Sequence, residues 1–283
     1  MDYLTNYQKY LNSFQKYLLE NEKSKSTIEA YISDTKLFLF YLNKNNIELD
    51  SLTSIVLNEY KDNLHSKNYN IKTINRKLVS INQFLQFLDI DVHVKQEKIQ
   101  SQNFLDFLFT KEEISKMIAV TEIDKDYRAK ALIFTAKSTG MRVSELLQLT
   151  INDVGKDTVL ICGKGRKYRN VFISDKLKLV LNEYLQHRKT KYKTNKLFVG
   201  QRGAINRHTV YTTIRKYAEK CDVDWRKAHT HNLRHHFARE LLNTYEVDIA
   251  TVSDVLGHEN LNTTRIYLRK SKGELLDIMN KIE

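Results

Sequence analysis

The sequence of 283 residues predicts a mainly α-helical protein of two domains with one small antiparallel β-hairpin. Three observations predict this fold class. Apolar residues recur every three to four positions before residue 90 and again beyond residue 110, as in amphipathic helices. The stretch between these regions is polar and lacks that spacing, and near residue 160 the pattern changes to short β-branched runs. We therefore assign residues 1–92 to an N-terminal domain, 93–104 to a linker and 105–283 to a second domain.

Two helices of the N-terminal domain have the clearest pattern. One is expected after the N-cap candidates Ser26 and Thr27, because apolar side chains then recur on one face as far as Leu42. The other lies in residues 71–88, IKTINRKLVSINQFLQFL, with its apolar residues on one side. Three polar side chains are expected on or near the opposite side, facing either solvent or a partner: Thr73, Arg76 and Lys77.

The second domain begins with a capping box, in which Thr110 caps a helix and Glu113 follows three residues later. Two helical runs come next and are broken at residues 138–140, where the sequence reads STG. Two β-branched runs, 158–162 and 170–174, flank a basic turn that contains glycine, which predicts a hairpin. Helical spacing then returns from Lys176 to the end.

Composition argues against several classes of protein. No run approaches the ~18 apolar residues of a membrane span, and the N-terminus MDYLTNYQKY does not read as a signal peptide. We therefore expect a cytoplasmic protein with no membrane contact. Cys162 and Cys221 lie far apart without a C-x-x-C spacing, which argues against a disulfide framework or a thiolate zinc site.

The positive charge of the chain is unevenly distributed. Residues 1–100 hold 13 basic and 12 acidic side chains, so nearly all of the formal charge of +12 falls in residues 101–283. This excess indicates either a solvated, lysine-rich surface or a face that binds a polyanion such as DNA. Charge alone does not choose between them.

Four histidines surround one arginine in the segment AHTHNLRHHFARELL: His229, His231, His235 and His236, with Arg234 among them. The i, i+4 spacing of His231 and His235 suits a metal on one helical face, but no third ligand is evident. Arg234 repels a cation and suits a phosphate, to which a guanidinium offers two parallel donors. A phosphate site is therefore favoured over a metal site, and ordinary capping and core histidines remain the alternative.

The turn GKGRKYR at residues 163–169 carries four cations but lacks the spacing of a nucleotide-binding loop. It indicates either a hairpin tip that approaches DNA or a charged edge that resists aggregation. The cations are Lys164, Arg166, Lys167 and Arg169.

Arg142 and Glu145 lie three residues apart at a predicted helix start. Two interpretations are open. The pair is either a surface ion pair, which contributes ~0–1 kcal/mol, or a catalytic arginine held in a fixed orientation by a carboxylate.

In chain order, four segments resemble the tyrosine recombinases, the integrase family that includes the Xer-like resolvases. They are TGMRVSELLQLT, the GKG of the hairpin, HNLRHHFA and LGHENLNTTRIY. The family has an Arg, a hairpin Lys, a His with an Arg, a second His, and a Tyr nine residues after that His. The matching residues here are Arg142, Lys164, His231, Arg234, His258 and Tyr267. Proline is absent, and Thr230 stands where the family often has one.

The resemblance implies a reaction at a DNA phosphodiester. Tyr267 would attack the phosphorus, giving a 3′-phosphotyrosine and a free 5′-hydroxyl, without a metal, ATP or another cofactor. Arg142 and Arg234 would neutralise the non-bridging oxygens, which by analogy with an oxyanion-hole donor is worth ~3–4 kcal/mol for each. His231 would act as general base.

The remaining residues of the pattern would position and protonate. Lys164 would protonate the leaving 5′-oxygen, with Lys167 in the same turn as the alternative. His258 would donate a hydrogen bond to a non-bridging oxygen, and Glu145 would hold the Arg142 guanidinium.

The resemblance also implies the architecture and the partners. An N-terminal four-helix core-binding domain of SAM-like type would hold one side of double-stranded DNA with an inverted-repeat core site, and an α-rich catalytic domain the other. A homotetramer on two duplexes would form by exchange of the tail, residues 272–283, although a tail that folds onto its own domain remains the alternative. The tail's apolar stripe is Leu275, Leu276, Met279 and Ile282.

Further phosphate or groove contacts are expected from polar side chains of both domains. Which of them read bases does not follow from one sequence. The candidates are Thr73, Arg76, Lys77, Arg166, Lys167, Arg169, Arg207, Arg215 and Lys216.

Two rival functions share this pattern. A type IB topoisomerase would use the same kind of tyrosine only to relax DNA, and a non-catalytic DNA-binding protein would use the same scaffold. The core-binding pattern and the complete set of six residues favour a site-specific recombinase. Chromosome-dimer resolution, transposon cointegrate resolution, integration and inversion are all open, with simple core-site resolution favoured by the small size of the chain.

Overall fold

Four α-helices make up the N-terminal unit: α1 (Tyr3–Glu20), α2 (Lys25–Lys44), α3 (Ser54–Ser66) and α4 (Ile71–Phe87). The computed structural model describes residues 3–99, 107–163, 165, 167–258, 260–270 and 272–282. The chain divides into two compact units, Met1–Ser101 and Gln102–Glu283. Within the described ranges, no helix has the length and apolar character needed to cross a membrane.

The helices of the N-terminal unit bury their apolar faces against one another around Phe14, Phe38 and Phe84. The predicted cap of α2 is wrong by two residues. Ser24 is the N-cap, because its hydroxyl accepts the backbone N–H of Thr27 at 3.2 Å. Ser26 and Thr27 therefore lie inside the first turn.

Asp34 on α2 is buried and joins that helix to α4. Its carboxylate accepts hydrogen bonds from Lys77 Nζ at 2.9 Å, from Ser80 Oγ at 2.9 Å and from both terminal nitrogens of Arg76. The expectation that Lys77 lies on the exposed face is therefore wrong, since only 4% of it is accessible. A buried carboxylate needs cationic partners, and Lys77 is the one that α4 supplies from its inner side.

The first half of the predicted linker lies on the N-terminal unit. Asn82 exchanges two hydrogen bonds with the backbone of Val94, at 2.9 and 3.0 Å, and Asn75 does the same with Glu97, both at 2.8 Å. Two helical turns of α4 rise about 10.5 Å, close to the ~10 Å spanned by three extended residues, so the two amides meet matching backbone groups. Residues 100–104 of the predicted linker lie outside the described residues.

The second unit is mostly helical around a core that includes Phe134, Leu146 and Ile214. The predicted capping box of Thr110 and Glu113 is confirmed, with both hydrogen bonds present. The helices are α5 (Lys111–Ile123), α6 (Tyr127–Thr139), α7 (Val143–Leu146), α8 (Asp175–His187), α9 (Arg207–Lys220), α10 (Thr230–Asn243), α11 (Ile249–Leu256), α12 (Leu261–Arg265) and α13 (Lys272–Met279).

The predicted hairpin is confirmed, with different bounds for its second strand. Strand β1 (Thr158–Cys162) pairs antiparallel with β2 (Tyr168–Phe172), so β2 begins and ends two residues earlier than expected. The Gly163 N–H donates to the Lys167 carbonyl at 2.6 Å, which narrows the base of the turn. A second pair, β3 (Val199–Gly200) and β4 (Gly203–Ala204), was not predicted, because two-residue strands show no periodicity.

Candidate active site

Arg142 is placed by the end of one helix and the start of the next. Helix α6 ends at Thr139, and its C-cap Gly140 has φ +59°, at a position where a Cβ would lie 2.5 Å from Phe237 Cδ1. The chain then turns, and Arg142 becomes the N-cap of α7. The Glu145 carboxylate accepts both the backbone N–H of Arg142 at 2.9 Å and its Nη1 at 2.8 Å. The guanidinium is thereby tethered while a third of the side chain stays accessible.

Glu145 is fully buried and lies among three arginines. Its Oε2 also accepts from Arg169 Nη2 at 2.8 Å and lies 4.0 Å from Arg234 Nη1. Burial by itself would raise the pKa of Glu145, but hydrogen bonds from the Arg142 backbone and from Arg169, with the charge of Arg169, outweigh it. The pKa is lowered, and the carboxylate stays charged beside the arginines.

Arg234 on α10 is 1% accessible and is held by three other segments. Its Nη1 donates to the Gly140 carbonyl at 2.6 Å, and its Nη2 donates to the Leu256 carbonyl and to His258 Nε2, both at 2.8 Å. Burial and the charge of Arg142 lower the pKa of Arg234 to about 10. The group therefore remains a cation at neutral pH.

His258 follows Gly257, the left-handed C-cap of α11. Burial, and then the charges of Arg234 and Arg142, lower the pKa of His258 to about 4, so the ring is neutral near pH 7. Its Nε2 then accepts from Arg234, and its Nδ1 donates to Thr264 Oγ1 at 2.8 Å. Donation to a phosphate, as the resemblance implies, would require one of these two hydrogen bonds to be exchanged.

Tyr267 lies in the short 3₁₀ helix Ile266–Leu268 and is 2% accessible. It packs in a small apolar cluster with Ala238, Val252 and Leu256. Its ring meets His235 edge-on, with centroids 4.8 Å apart, and lies nearly parallel to His258 at 5.9 Å. The Tyr267 side chain lies close enough to the Arg234 guanidinium to oppose part of the fall in the pKa of Arg234, so it stands beside the arginine that would bind the phosphate.

His231 stands in the first turn of α10 with an accessible ring, at 4.4 Å from the ring of His235. Partial desolvation and the charges of Arg234 and Arg142 lower the pKa of His231. The ring is therefore neutral at pH 7 and able to accept a proton. Four aromatic rings form a continuous series: His231, His235, Tyr267 and His258.

A cavity of about 580 Å³ opens beside this cluster. Arg142, Lys167 and Arg169 contribute three cations to its walls, against the carboxylates of Glu145 and Asp254. The structure thus brings Arg142, Glu145, His231, Arg234, His258 and Tyr267 into one connected group. Lys164 and Arg166, predicted in the hairpin turn, lie outside the described residues.

The proposed DNA contacts of this unit differ in accessibility. Lys167, Arg207, Arg215 and Lys216 are all exposed, although Arg215 pairs with Glu219 at 2.7 Å and Lys216 lies 3.7 Å from Asp126. Arg169 was expected at the DNA surface, but it turns inward to Glu145 and only 10% of its side chain is accessible. That placement corrects the sequence prediction, since a guanidinium committed to a buried carboxylate is not presented to solvent.

His235 is a residue of the site that sequence reasoning missed, because it was considered only as a metal ligand or as an ordinary capping or core histidine. It is 7% accessible between His231 and Tyr267, and its Nδ1 has no hydrogen-bond partner among the described residues. Burial and the neighbouring His231 and Arg234 lower its pKa to about 4. Its spacing alone carries no signal of this role, because an i, i+4 histidine pair also occurs in ordinary helices. No group of three or more metal-ligating side chains occurs in the part of the chain that the structure describes.

Comparison with protein families identifies both units. The Phage integrase family profile matches residues 108–274, and the profile of the phage integrase N-terminal SAM-like domain matches residues 5–89. A tyrosine recombinase of Pseudothermotoga lettingae is 32% identical over 272 residues, which cover 92% of each chain. Tyrosine recombinase XerC of Oceanobacillus iheyensis is 29% identical, over 99% of this chain and 95% of that protein.

Solved structures show the same relationship. The XerH site-specific recombinase bound to palindromic difH substrate, in a post-cleavage complex, matches with a TM-score of 0.74 and 26% identity, over 89% of this chain and 78% of that chain. The pre-cleavage complex of XerH with difH matches with a TM-score of 0.71 and 27% identity, over 90% and 79%. The predicted fold class, mainly α with a SAM-like first domain and a small sheet in the second, is confirmed.

Proposed function

This chain belongs to the phage integrase family of tyrosine recombinases, enzymes that cleave and rejoin DNA strands, and we propose that it acts through a 3′-phosphotyrosine formed at Tyr267. One observation carries the proposal: four separate segments bring their side chains together, with Arg142 and Arg234 at the buried carboxylate of Glu145 and with His258 and Tyr267 beside Arg234. The type IB topoisomerase alternative is not favoured, because both family matches are to integrase domains.

The proposed step exchanges one phosphoester for another. The Tyr267 oxygen bonds to phosphorus while the bond to the 5′-oxygen breaks, and a second 5′-hydroxyl later reverses the step, so no energy source is consumed. Arg142 and Arg234 stabilise the charge that develops on the non-bridging oxygens. His231, kept neutral by its lowered pKa, accepts the tyrosine proton. The family pattern assigns the proton for the 5′-oxygen to Lys164, with Lys167 as the alternative.

We propose double-stranded DNA with an inverted-repeat core site as the substrate, and core-site resolution as the reaction. Support comes from the XerH complexes with difH and from the excess of basic residues in the second unit. Exposed Arg76, Lys167 and Arg207 are the first candidates for phosphate contacts.

A homotetramer on two duplexes is proposed to form through the tail. Helix α13 meets its own domain through an ion pair of Arg239 Nη2 with Glu274 Oε1 at 2.5 Å. Three members of the tail's apolar stripe are nevertheless more than half exposed: Leu276, Met279 and Ile282. A second copy that covers this stripe would bury apolar surface that the tail leaves in water. A chain ending at residue 271 should therefore bind a single site normally but fail to pair two sites in a gel-shift assay; normal pairing would remove tail exchange from the proposal.

The test of the chemistry uses a DNA duplex nicked near the scissile phosphate, so that the short 5′-hydroxyl strand leaves and the covalent complex accumulates. A protein–DNA adduct resistant to denaturant is expected with the native chain and not with Tyr267→Phe, which keeps the ring and removes the nucleophilic oxygen. An adduct of equal yield with Tyr267→Phe would refute the assignment of the nucleophile. A plasmid with two sites then separates recombination, which yields resolved circles, from simple relaxation.

A further inference from the structure

Arg169 joins three segments of the second unit that are far apart in sequence. From β2 its Nη2 donates to Glu145 Oε2 on α7 at 2.8 Å, and its Nη1 donates to the Val255 carbonyl at the end of α11 at 2.5 Å. The residue lies on the strand that leaves the basic turn, paired across the hairpin with Ile161. Its planar fork allows both hydrogen bonds at once, which an ammonium could not reproduce in that geometry.

The C-terminus of α11 is held by two arginines. Arg169 donates a hydrogen bond to the Val255 carbonyl, and Arg234 donates one to the next carbonyl, that of Leu256. Carbonyls in the last turn of a helix have no partner within the helix, so these contacts satisfy groups that would otherwise need water. They also fix the residue that follows Gly257, which is His258.

Gly257 shows how closely Arg169 approaches this turn. A Cβ at position 257 would lie 2.5 Å from Arg169 Cδ, and the φ of +65° independently favours glycine. The Arg169 stem therefore packs directly on the backbone that presents His258. The contact requires glycine for two separate reasons, conformation and space.

The Glu145 carboxylate has competing partners. Oε2 receives the Arg142 N–H at 2.9 Å and Arg169 Nη2 at 2.8 Å, while Arg234 Nη1 stays 4.0 Å away. Without Arg169, Oε2 would be free to pair with Arg234. That ion pair would neutralise one of the two guanidiniums required at the phosphate and would weaken the hold on the other.

We propose that Arg169 is a positioning residue: it occupies Glu145 and the end of α11 so that Arg142, Arg234 and His258 keep their places around the scissile phosphate. The inference rests on the proposed function, and it replaces the DNA contact that the sequence suggested for Arg169. It predicts a loss in the rate of cleavage without a loss in DNA affinity, because the side chain is buried.

The experiment measures single-turnover adduct formation at saturating protein, together with DNA affinity and the unfolding midpoint. Arg169→Gln is expected to lower the cleavage rate by up to about 10²-fold, the cost of a small misplacement of reacting groups, with unchanged affinity. Arg169→Lys should recover only part of the rate, since it keeps the charge but not the fork. Arg202→Gln is the matched control: an exposed arginine in the turn between β3 and β4, outside the site, whose loss should leave the saturated rate and the unfolding midpoint unchanged.

A double-mutant cycle isolates the route through Glu145. In a Glu145→Gln background, Arg169→Gln should cost much less than it does in the native chain, because the carboxylate that it holds is already gone. Additive losses, full recovery by Arg169→Lys, or a fall in the DNA affinity of Arg169→Gln would each overturn the proposal. Absence of any adduct with the native chain would instead refute the proposed function, so the two failures are distinguishable.

Discussion

Among the described residues, each unit of the protein has one buried carboxylate surrounded by cations, and the two clusters differ in the role left to those cations. Asp34 accepts from Arg76, Lys77 and Ser80, and the ammonium of Lys77 is buried with it. Glu145 has three guanidiniums around it, those of Arg142, Arg169 and Arg234. The first cluster therefore carries one excess positive charge, and the second carries two.

The difference lies in where the excess charge is placed. In the Asp34 cluster the hydrogen bonds join α2 to α4, and the excess resides on the half-exposed Arg76. In the Glu145 cluster one carboxylate is shared among three arginines beside a cavity, so the excess faces a space that a phosphate can enter. The Asp34 carboxylate thus joins two helices, whereas the Glu145 carboxylate positions cations for a ligand.

The largest expected effect is a loss of stability when the Asp34 cluster is broken. Asp34→Ala leaves the buried ammonium of Lys77 without its carboxylate, and breaking such a pair by removing one partner costs about 3–5 kcal/mol. Chemical denaturation should show this loss in the N-terminal unit, with cleavage by the folded fraction retained. The double variant Asp34→Leu with Lys77→Met is the control, since removing both charges should restore much of the stability. If Asp34→Ala were as stable as the native protein, the Asp34 cluster would not stabilise the N-terminal unit.

The second largest effect is expected on catalysis, when the charge of Glu145 is removed. Glu145→Gln keeps the shape but removes the charge, so Arg142 loses its tether and Arg169 its anchor. By analogy with an oxyanion-hole donor, we expect the single-turnover cleavage rate to fall by about 10²–10³. Affinity for the core site should change little, because Glu145 is fully buried. If affinity fell and the saturated rate did not, Glu145 would belong with the structural carboxylates, and the contrast with Asp34 would disappear.

A third effect follows from the histidines, which only the second cluster contains. Burial, and then the positive charges of His231, Arg234, Arg239 and His258, lower the pKa of His235 from 6.5 to about 4, and the pKa of His258 is lowered similarly, first by burial. Between these values the unfolded chain binds more protons than the folded one, so the free energy of unfolding decreases as pH falls from about 6.5 to 4. For His235 the loss is on the order of 3 kcal/mol.

Hydrogen exchange resolved by unit would measure this dependence. Protection of α10 and α11 should decline with acid before that of α2 and α4. His235→Phe cannot be protonated and should flatten the response of the second unit. An identical slope in that variant would show that His235 is not the group responsible.

Much of the secondary structure could be predicted from the sequence, because it depends on local patterns. The helices, the capping box at Thr110 and the hairpin all follow from spacing within a few residues. The Arg142–Glu145 contact was also visible, as a pair three residues apart. Long-range pairing was not: no periodicity indicates that Asp34 draws Lys77 inward across 43 positions, or that Glu145 captures Arg169 across 24.

The direction of a hydrogen bond was equally inaccessible from the sequence. The position of His258 after a glycine does not indicate that its Nε2 will be hydrogen-bonded to Arg234 and its Nδ1 to Thr264. Burial of Tyr267 was unpredictable for a related reason. Its apolar neighbours come from α10 and α11, and only the packed fold brings them together.

The smallest expected effect shows whether Arg76, which carries the excess charge of the Asp34 cluster, also contacts DNA. Nearly half of the Arg76 side chain is accessible, whereas Lys77 beside it is buried. Arg76→Gln leaves Lys77 and Ser80 on Asp34, so stability should change by only about 0–1 kcal/mol. If Arg76 meets a phosphate, the slope of log affinity against log salt should decrease by about 1, with weaker binding to every sequence tested. An unchanged slope would confine the Asp34 cluster to stability, whereas a reduced slope would show that it also places a cation at a phosphate, as the Glu145 cluster is proposed to do.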